Sequence, residues 1–391
     1  MQQSGVPTPP PRLSLPGWER TPRYEVQATV REHLPIIGHE FEIVFHAPAI
    51  ARAARPGQFV EILFGDNYAP LVRRPFSLYR VNPEAGTCSV IYLARGAFTS
   101  GLARKQVGDV VSLLGPLGRP FHLSKESGVQ HILVAGGLGA PPLYFLASEL
   151  SRSCSSPRRI AVPTAASPNV EIGRASSNSP ANDIGNLAPG ALDAQTQRVE
   201  GFVAGDSSVR PMPQDSLSAE MALDIRVGGR PEQRANAERT IDLADSAAIA
   251  ELCESRLVVI NAARTESLLV GLTEFGALDI TLHVMTDDGS RGARGVATDL
   301  LTALLDSENS TGRAKTIYAC GPMPMLRSVG EIAIARGLPC QLSIETTMPC
   351  GIGLCQGCAT AVRDPAADAG FSFVLACVDG PVFEARDLVW T

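Results

Sequence analysis

Between about residues 23 and 122, short runs of alternating apolar and polar side chains are separated by turn signals. The clearest run is Tyr24–Val30, and Phe41, Ile43 and Phe45 likewise share one face of a possible strand. Further strand-like runs cover residues 57–63, 89–93 and 110–114. Short strands at this spacing predict an antiparallel β-barrel or sandwich.

After Val129 the pattern changes to continuous apolar runs. These runs cover residues 131–135, 256–261, 279–284 and 316–321. Helical patterns lie between them, including Ala297–Leu305 and Met323–Ala335. Because β and α units alternate, this part predicts a parallel sheet. The whole chain is therefore expected to be a multidomain α+β and α/β protein.

The periodicity stops between about Arg152 and Glu254, where Ser, Ala, Pro, Asn and Gly dominate. This segment predicts a mostly disordered insertion in a surface connection, since closing a long loop costs little more than closing a short one. A role in docking or regulation is the alternative. A helix over Asp242–Glu254 is expected to re-enter the domain, and residues 1–21 are expected to form a loose tail.

Composition narrows the function classes. The chain has 391 residues, a net charge of −6 and nine cysteines. The acidic balance gives no reason to expect nucleic-acid binding. The uncharged stretch Ile132–Ser148 is too short and too rich in Gly and Pro for a membrane span. An odd number of cysteines without a secretory signal indicates a reduced, cytoplasmic protein.

Four cysteines near the C-terminus carry the strongest signal. Cys350, Cys355 and Cys358 have the spacing C-x4-C-x2-C, and Cys377 follows. This is the plant-type [2Fe–2S] pattern, in which thiolates ligate both irons. A structural zinc site, which usually has two C-x2-C or C-x4-C pairs, and unligated thiols are the alternatives.

Two segments of the predicted barrel have chemistry that suits a flavin. In Arg74-Pro75-Phe76-Ser77 a guanidinium can pair with a phosphate, and a hydroxyl can hydrogen-bond the ring system. Downstream, Gly96 and Thr99 offer backbone N–H groups and a hydroxyl for a pyrophosphate. The alternative for Arg73-Arg74 is a solvated pair.

Glycine-rich turns follow two predicted parallel strands. Gly136, Gly137 and Gly139 lie after the first strand, where glycines allow a dinucleotide to approach the backbone. Cys320-Gly321-Pro322 follows the last strand, at the sheet edge where ligands bind in open α/β folds. The alternatives are a purely structural turn and a packed thiol. Thr286–Gly292 is either a wall of the nucleotide cleft or a solvated turn.

In this order, the motifs resemble those of the ferredoxin–NADP⁺ reductase superfamily. More closely, they resemble the electron-transfer subunits of NAD-dependent (class 1B) dihydroorotate dehydrogenases. The shared motifs are Arg-Arg-Pro-Phe-Ser, Leu-Gly-Pro-Leu-Gly, Thr-Asp-Asp-Gly-Ser, Cys-Gly-Pro-x-Pro-Met, the cysteine motif and Cys-x-Asp-Gly-Pro-Val-Phe. The resemblance covers roughly residues 22–150 and 256–391. The chain departs from the family at Phe98, where Gly is usual, and at Arg119-Pro120, where Asn-Gly is usual.

The resemblance implies three domains: an FAD-binding barrel at 22–125, an NAD-binding α/β domain at 126–340 and a [2Fe–2S] domain at 341–391. It also implies a catalytic subunit that contains FMN, in a heterotetramer with two copies of each chain. Electrons from dihydroorotate would pass through the cluster and FAD to NAD⁺. No catalytic acid or base is expected here, because that chemistry belongs to the partner.

Two other functions stay open at this point. The chain can instead be the small subunit of a ferredoxin–NADP⁺ or hydrogenase-type oxidoreductase, or a flavin-free scaffold or sensor that keeps the cluster. Arg264 suits a 2′-phosphate and Glu266 suits a free ribose, so the sequence leaves NAD and NADP undecided.

Overall fold

The computed structural model describes residues 21–36, 40–65, 72–124, 128–154, 255–307 and 312–390. Most of the predicted tail and nearly all of the predicted insertion, including the helix expected at Asp242–Glu254, lie outside the described residues. In the part that is described, no helix has the length and hydropathy needed to cross a membrane.

The first seven strands form a curled antiparallel sheet. They are β1 (Tyr24–Pro35), β2 (Glu40–His46), β3 (Phe59–Leu63), β4 (Arg74–Ser77), β5 (Val81–Asn82), β6 (Thr87–Leu93) and β7 (Val110–Leu117). Their order is β4-β3-β7-β1-β2-β6-β5, so β4 is an edge strand. Alternate side chains such as Val30, Ile43 and Ile62 are fully buried in one core. The period-two pattern of the sequence accounts for this half-barrel.

The other strands are β8 (Gln130–Gly136), β9 (Leu257–Ala263), β10 (Thr281–Thr286), β11 (Ala293–Arg294), β12 (Lys315–Cys320), β13 (Cys340–Ser343), β14 (Ala359–Arg363), β15 (Phe371–Leu375) and β16 (Val382–Glu384). Seven of them form a second sheet in the order β11-β10-β9-β8-β12-β13-β16. Only β16 runs antiparallel to its neighbour in this sheet. The chain order reverses between β8 and β12, which is where an open α/β sheet binds ligands.

The described helices are α1 (Pro48–Ala53), α2 (Ala97–Leu102), α3 (Ala140–Cys154), α4 (Leu272–Gly276), α5 (Ala297–Asp306), α6 (Met323–Ala335) and α7 (Ala376–Asp379). Both faces of the parallel sheet are covered. Leu133 packs with α3 side chains, whereas Ile132 packs with α5 and α6 side chains. Every residue of β8 is therefore buried, which explains why its sequence shows no alternation.

The C-terminal residues do not form a separate core. The hairpin of β14 and β15 packs into the same apolar cluster as one face of the parallel sheet. That cluster also contains Cys358, Cys377 and two half-barrel side chains, Phe59 and Leu117. The cysteine-bearing segment is thus continuous with both sheets.

Candidate metal centre and cofactor sites

The segment Cys350–Cys358, which we name the cluster loop, depends on left-handed backbone conformations. Gly351 has φ 63° and Gly353 has φ 81°. Gln356, with φ 57°, is the only non-glycine residue with positive φ in the described part of the chain. These turns bend nine residues so tightly that three cysteines share one short loop.

Backbone N–H groups point at the cysteine sulfurs. Leu354 and Cys355 donate to Cys350 Sγ at 3.3 Å and 3.4 Å. Gly357 donates to Cys355 Sγ at 3.4 Å. Hydrogen bonds of this kind tune the potential of a cluster. The loop is thus already arranged to receive negative charge on its sulfurs.

The four cysteines form two pairs. Side-chain hydrogen bonds join Cys350 to Cys355 and Cys358 to Cys377. The outer pair lies towards solvent, whereas Cys358 and Cys377 are only 1% and 2% exposed. Among the described residues, no three His, Cys, Asp or Glu side chains are arranged to hold one metal ion. Two pairs fit a two-iron cluster, which takes two thiolates on each iron, better than a single zinc ion.

The pKa values of Cys350 and Cys377 agree with a site for a two-iron cluster. Burial acts to raise the pKa of Cys350, but the backbone N–H groups of Cys355 and Ile352 outweigh it and bring that pKa to about 6. Burial raises the pKa of Cys377 well above its usual range, and Cys358 adds to the shift. Cys377 therefore ionises more readily beside a cation, which a bound iron would supply.

The cluster loop lies directly on the half-barrel. A Cβ atom on Gly351 would be 2.6 Å from Glu61 Cγ and 2.8 Å from Leu117 Cδ1. The segment after Cys377 contacts the same region, because the Arg119 N–H donates to the Gly380 carbonyl. Both halves of the cysteine set are therefore fixed against β3 and β7.

Glu61 is a functional candidate that sequence analysis missed. It is completely buried, and neither carboxylate oxygen has a hydrogen-bond partner among the residues that the structure describes. Burial, with the nearby Cys350 charge, raises its pKa to about 8, although Arg73 and Arg74 act in the opposite direction. In the β3–β4 register Glu61 lies opposite Pro75. It thus lies between the predicted flavin motif and the cluster loop.

The predicted flavin motif forms β4, which we name the flavin strand. The two arginines at its start differ in environment. Arg73 Nη2 donates to Glu25 Oε1 at 2.5 Å and to Ser112 Oγ at 2.9 Å. Arg74 has no acidic partner among the described residues, and its guanidinium carbon lies 5.6 Å from the Phe98 ring centroid. Arg74 is therefore the less engaged of the two arginines, and its contact with a phosphate stays a prediction.

The predicted pyrophosphate residues lie at the start of α2. Thr99 Oγ1 accepts hydrogen bonds from the Arg95 and Gly96 N–H groups, at 2.9 Å and 3.0 Å. Its hydroxyl therefore caps α2. Phe98 is buried, and its ring centroid lies 4.7 Å from that of Phe64 and 6.1 Å from that of Phe76. Phe98, where the family usually has Gly, thus adds apolar packing beside the flavin strand.

The predicted nucleotide residues meet at the carboxyl edge of the parallel sheet. A Cβ atom on Gly139 would be 2.1 Å from the Cys320 carbonyl oxygen, so no larger residue fits. A Cβ atom on Gly136 would be 2.9 Å from Pro322 Cδ, and one on Gly321 would be 3.0 Å from Gly136 Cα. Gly137 has φ 52°, and a Cβ atom there would be in ordinary contact with the Leu268 carbonyl oxygen, at 3.8 Å. The two motifs form one wall at the β8–β12 reversal.

The thiol of Cys320 stays protonated near neutral pH. Burial raises its pKa to about 12, while a hydrogen bond with Ser343 acts to lower it. Cys320 is thus an uncharged side chain at the end of β12. It suits contact with an uncharged ring better than nucleophilic chemistry.

Contacts between aromatic rings connect the half-barrel to the α/β part. Tyr79, two residues after β4, lies 4.8 Å between ring centroids from Tyr144 of α3. Tyr144 lies 5.4 Å from Phe275 of α4. Contacts among these large rings contribute about 0.5–1.5 kcal/mol per pair beyond their burial. They hold the flavin strand in a fixed position relative to the parallel sheet.

Comparisons with known proteins agree with the residue patterns. Residues 345–389 match the family described as the iron–sulfur cluster binding domain of dihydroorotate dehydrogenase B. The chain is 28% identical over 362 residues to the electron transfer subunit of dihydroorotate dehydrogenase B (NAD(+)) from Bacillus caldolyticus, covering 92% of this chain and 97% of that protein. The subunit of the same name from Desulforamulus reducens is 25% identical, with 88% and 91% covered. The predicted resemblance is confirmed.

A solved structure supports the fold. The structure of an NADH-dependent reduced ferredoxin-NADP oxidoreductase matches with TM-score 0.57 and 22% identity, over 93% of this chain and 90% of that one. The predicted fold class is confirmed as a ferredoxin-reductase-like fold: a half-barrel, a mostly parallel sheet and a C-terminal iron–sulfur binding domain. The assignment of individual cofactor contacts stays a prediction.

Proposed function

We propose that this chain is the electron-transfer subunit of an NAD-dependent dihydroorotate dehydrogenase. It takes electrons from a catalytic subunit and delivers them to NAD⁺, and so serves pyrimidine biosynthesis. When bound, the [2Fe–2S] cluster carries single electrons, FAD links one- and two-electron steps, and NAD⁺ accepts a hydride. The proposal is supported most by the match of residues 345–389, together with the contact of their cluster loop with the strand beside the flavin motif.

Each set of residues has a separate task in this proposal. Cys350, Cys355, Cys358 and Cys377 ligate the cluster. The flavin strand binds FAD, with Arg74 on a phosphate and Ser77 near the ring. Gly136, Gly137 and Gly139 admit the dinucleotide to the sheet edge, and Cys320-Gly321-Pro322 contacts its reactive half. The protein positions these groups and supplies no acid or base of its own.

The partner is proposed to cover the exposed side of the cluster loop. Leu354 is 77% exposed and Ile352 is 43% exposed, on either side of the glycine that turns the loop. Phe373, on the neighbouring hairpin, is 68% exposed. Exposed apolar groups beside a redox centre favour a protein surface as their partner. We assign this surface to the FMN-containing catalytic subunit, in a cytoplasmic assembly with two copies of each chain.

The test uses the co-expressed complex. Cys355→Ser should abolish electron transfer from dihydroorotate to NAD⁺ while the catalytic subunit still reduces an artificial acceptor. Cys88→Ala changes a buried half-barrel cysteine outside the loop and should leave transfer intact. If Cys355→Ser left the transfer unchanged, the proposed route would be wrong. If a ferredoxin-linked subunit co-purified instead, the ferredoxin–NADP⁺ alternative would replace it.

A further inference from the structure

The turn Glu266–Leu268 lies beside the predicted dinucleotide turn. A Cβ atom on Gly137 would have the Leu268 carbonyl oxygen as its nearest neighbour, at 3.8 Å. β9 pairs with β8 on one side and with β10 on the other, both in parallel. Adjacent strands are about 4.8 Å apart. A dinucleotide bound at the β8–β12 reversal is therefore long enough to reach the ends of β9 and β10.

An ion pair joins the segments that follow these two strands. Arg291 Nη1 lies 3.0 Å from Glu266 Oε1. The Glu266 N–H donates to Ser290 Oγ at 2.8 Å, and Ser290 Oγ donates to Asp288 Oδ1 at 2.6 Å. The arginine and the serine hydroxyl, two groups suited to a phosphate, are thus both engaged by protein atoms.

The Glu266 carboxylate favours a ribose without a phosphate at this edge. Glu266, Asp287 and Asp288 contribute three negative charges, and Arg264, Arg291 and Arg294 contribute three positive ones, of which Arg291 is already paired with Glu266. A 2′-phosphate would add about two more negative charges at pH 7. Glu266 Oε2 has no protein partner among the described residues, so it is available to accept a hydrogen bond from a 2′-hydroxyl. An acidic residue at this place in a dinucleotide fold is suited to that contact.

We infer that Glu266 is the specificity-determining residue that selects NAD over NADP. Its carboxylate accepts a hydrogen bond from the ribose 2′-hydroxyl and keeps Arg291 from binding a 2′-phosphate. The inference rests on the proposed function, because it takes the parallel sheet as the dinucleotide site. It settles a choice that Arg264 and Glu266 leave open in the sequence.

The test is equilibrium binding to the purified flavin- and cluster-loaded chain, without the catalytic subunit. NAD⁺ and NADP⁺ are titrated calorimetrically, together with AMP and adenosine 2′,5′-bisphosphate. The wild type should bind NAD⁺ at least tenfold more tightly than NADP⁺. Glu266→Gln should raise the affinity for NADP⁺ and for the bisphosphate at least tenfold, and it should lower the affinity for NAD⁺ severalfold. In the Glu266→Gln/Arg291→Gln double variant the gain for the phosphorylated ligands should disappear.

Asp306→Asn is the matched control, since it breaks another exposed acid–arginine pair, with Arg336, away from this edge. It should leave all four affinities unchanged. An unaltered NAD⁺/NADP⁺ ratio in Glu266→Gln, or a wild type that prefers NADP⁺, would overturn this inference alone. If neither dinucleotide bound the wild type, the nucleotide site of the proposed function would fail as well.

Discussion

The cluster loop and the flavin strand contact each other across Glu61, yet they prepare their sites in different ways. In the cluster loop, backbone N–H groups aim at the sulfurs, and two of the four cysteines lie in the main apolar core. On the flavin strand, the phosphate-binding group is the exposed side chain of Arg74 at a sheet edge. Changes at the buried cysteines should therefore affect both folding and ligation, whereas a change at Arg74 should affect ligand affinity alone.

The largest effect is expected within the cysteine set. Cys355→Ser and Cys358→Ser should each remove iron and sulfide from the purified protein. Only Cys358→Ser should also destabilise the cluster-free chain, by about 1–3 kcal/mol, because it buries a hydroxyl where a thiol was packed. Iron and sulfide analysis and urea unfolding would measure this. Equal unfolding midpoints for the two variants would contradict the division of the cysteines into an outer, exposed pair and an inner, buried pair.

The half-barrel should show its own pH dependence, at Glu40. Burial raises the pKa of Glu40 from 4.5 to about 7, and its Oε2 atom has no hydrogen-bond partner in the described part of the chain. The folded state therefore holds the Glu40 proton more tightly than the unfolded state does. The contribution of this protonated carboxyl to the free energy of unfolding is full below pH 4.5 and is lost as the pH rises through 7. Such a shift corresponds to about 3 kcal/mol.

Glu40→Gln should reduce the pH dependence of urea unfolding between pH 4 and pH 8, and the part due to Glu61 should remain. The Glu40→Gln variant should be more stable than the wild type at pH 8, and the difference should diminish as the pH falls. Glu84→Gln, at an exposed turn position, serves as the control. Parallel pH profiles for the wild type and Glu40→Gln would refute the expectation.

The contact between loop and half-barrel can be measured with a pair of glycines. Gly351 and Gly370 both have positive φ, at 63° and 73°, but a Cβ atom meets Glu61 only at Gly351. Gly370→Ala should cost about 1 kcal/mol for the backbone alone. Gly351→Ala should cost about 1–2 kcal/mol more, because the loop must move off β3. Similar unfolding free energies would mean that the contact contributes little.

The smallest effect is expected at the flavin strand. Arg74→Gln should weaken FAD binding to the apoprotein about tenfold and leave the unfolding free energy nearly unchanged, since one charge-assisted contact is lost. Arg73→Gln is the matched comparison. It should lower stability by about 1 kcal/mol, because it breaks the contacts with Glu25 and Ser112. If Arg73→Gln weakened FAD binding more than Arg74→Gln did, the roles of the two arginines would be reversed.

The sequence was a good guide where local spacing decides the structure. The cysteine spacing brought Cys350, Cys355 and Cys358 into one loop, and the glycine runs led to the close approach of Gly139 and Cys320. These features depend on residues that are near in sequence or at the ends of neighbouring parallel strands. The same logic predicted the alternation of the half-barrel strands.

Glu61 shows where such reasoning stops. By alternation with Val60 and Ile62, it belongs on the outer face of the half-barrel, where a carboxylate would normally meet water. In the structure a loop almost 300 positions later in the chain covers that face, so Glu61 is fully buried. The Glu266–Arg291 pair is similar, since it joins two strand ends across 25 positions. Only the tertiary fold could reveal either contact.

Phe59 and Leu117 share a core with Cys358 and Cys377. Transplanting residues 345–389 into an unrelated scaffold would therefore leave apolar side chains without their counterparts. A chimera meant to keep the four cysteines in their native surroundings would have to import β3 and the end of β7 as well. The iron–sulfur binding part of this chain therefore consists of residues 345–389, β3 and the end of β7, which are close in space but far apart in the sequence.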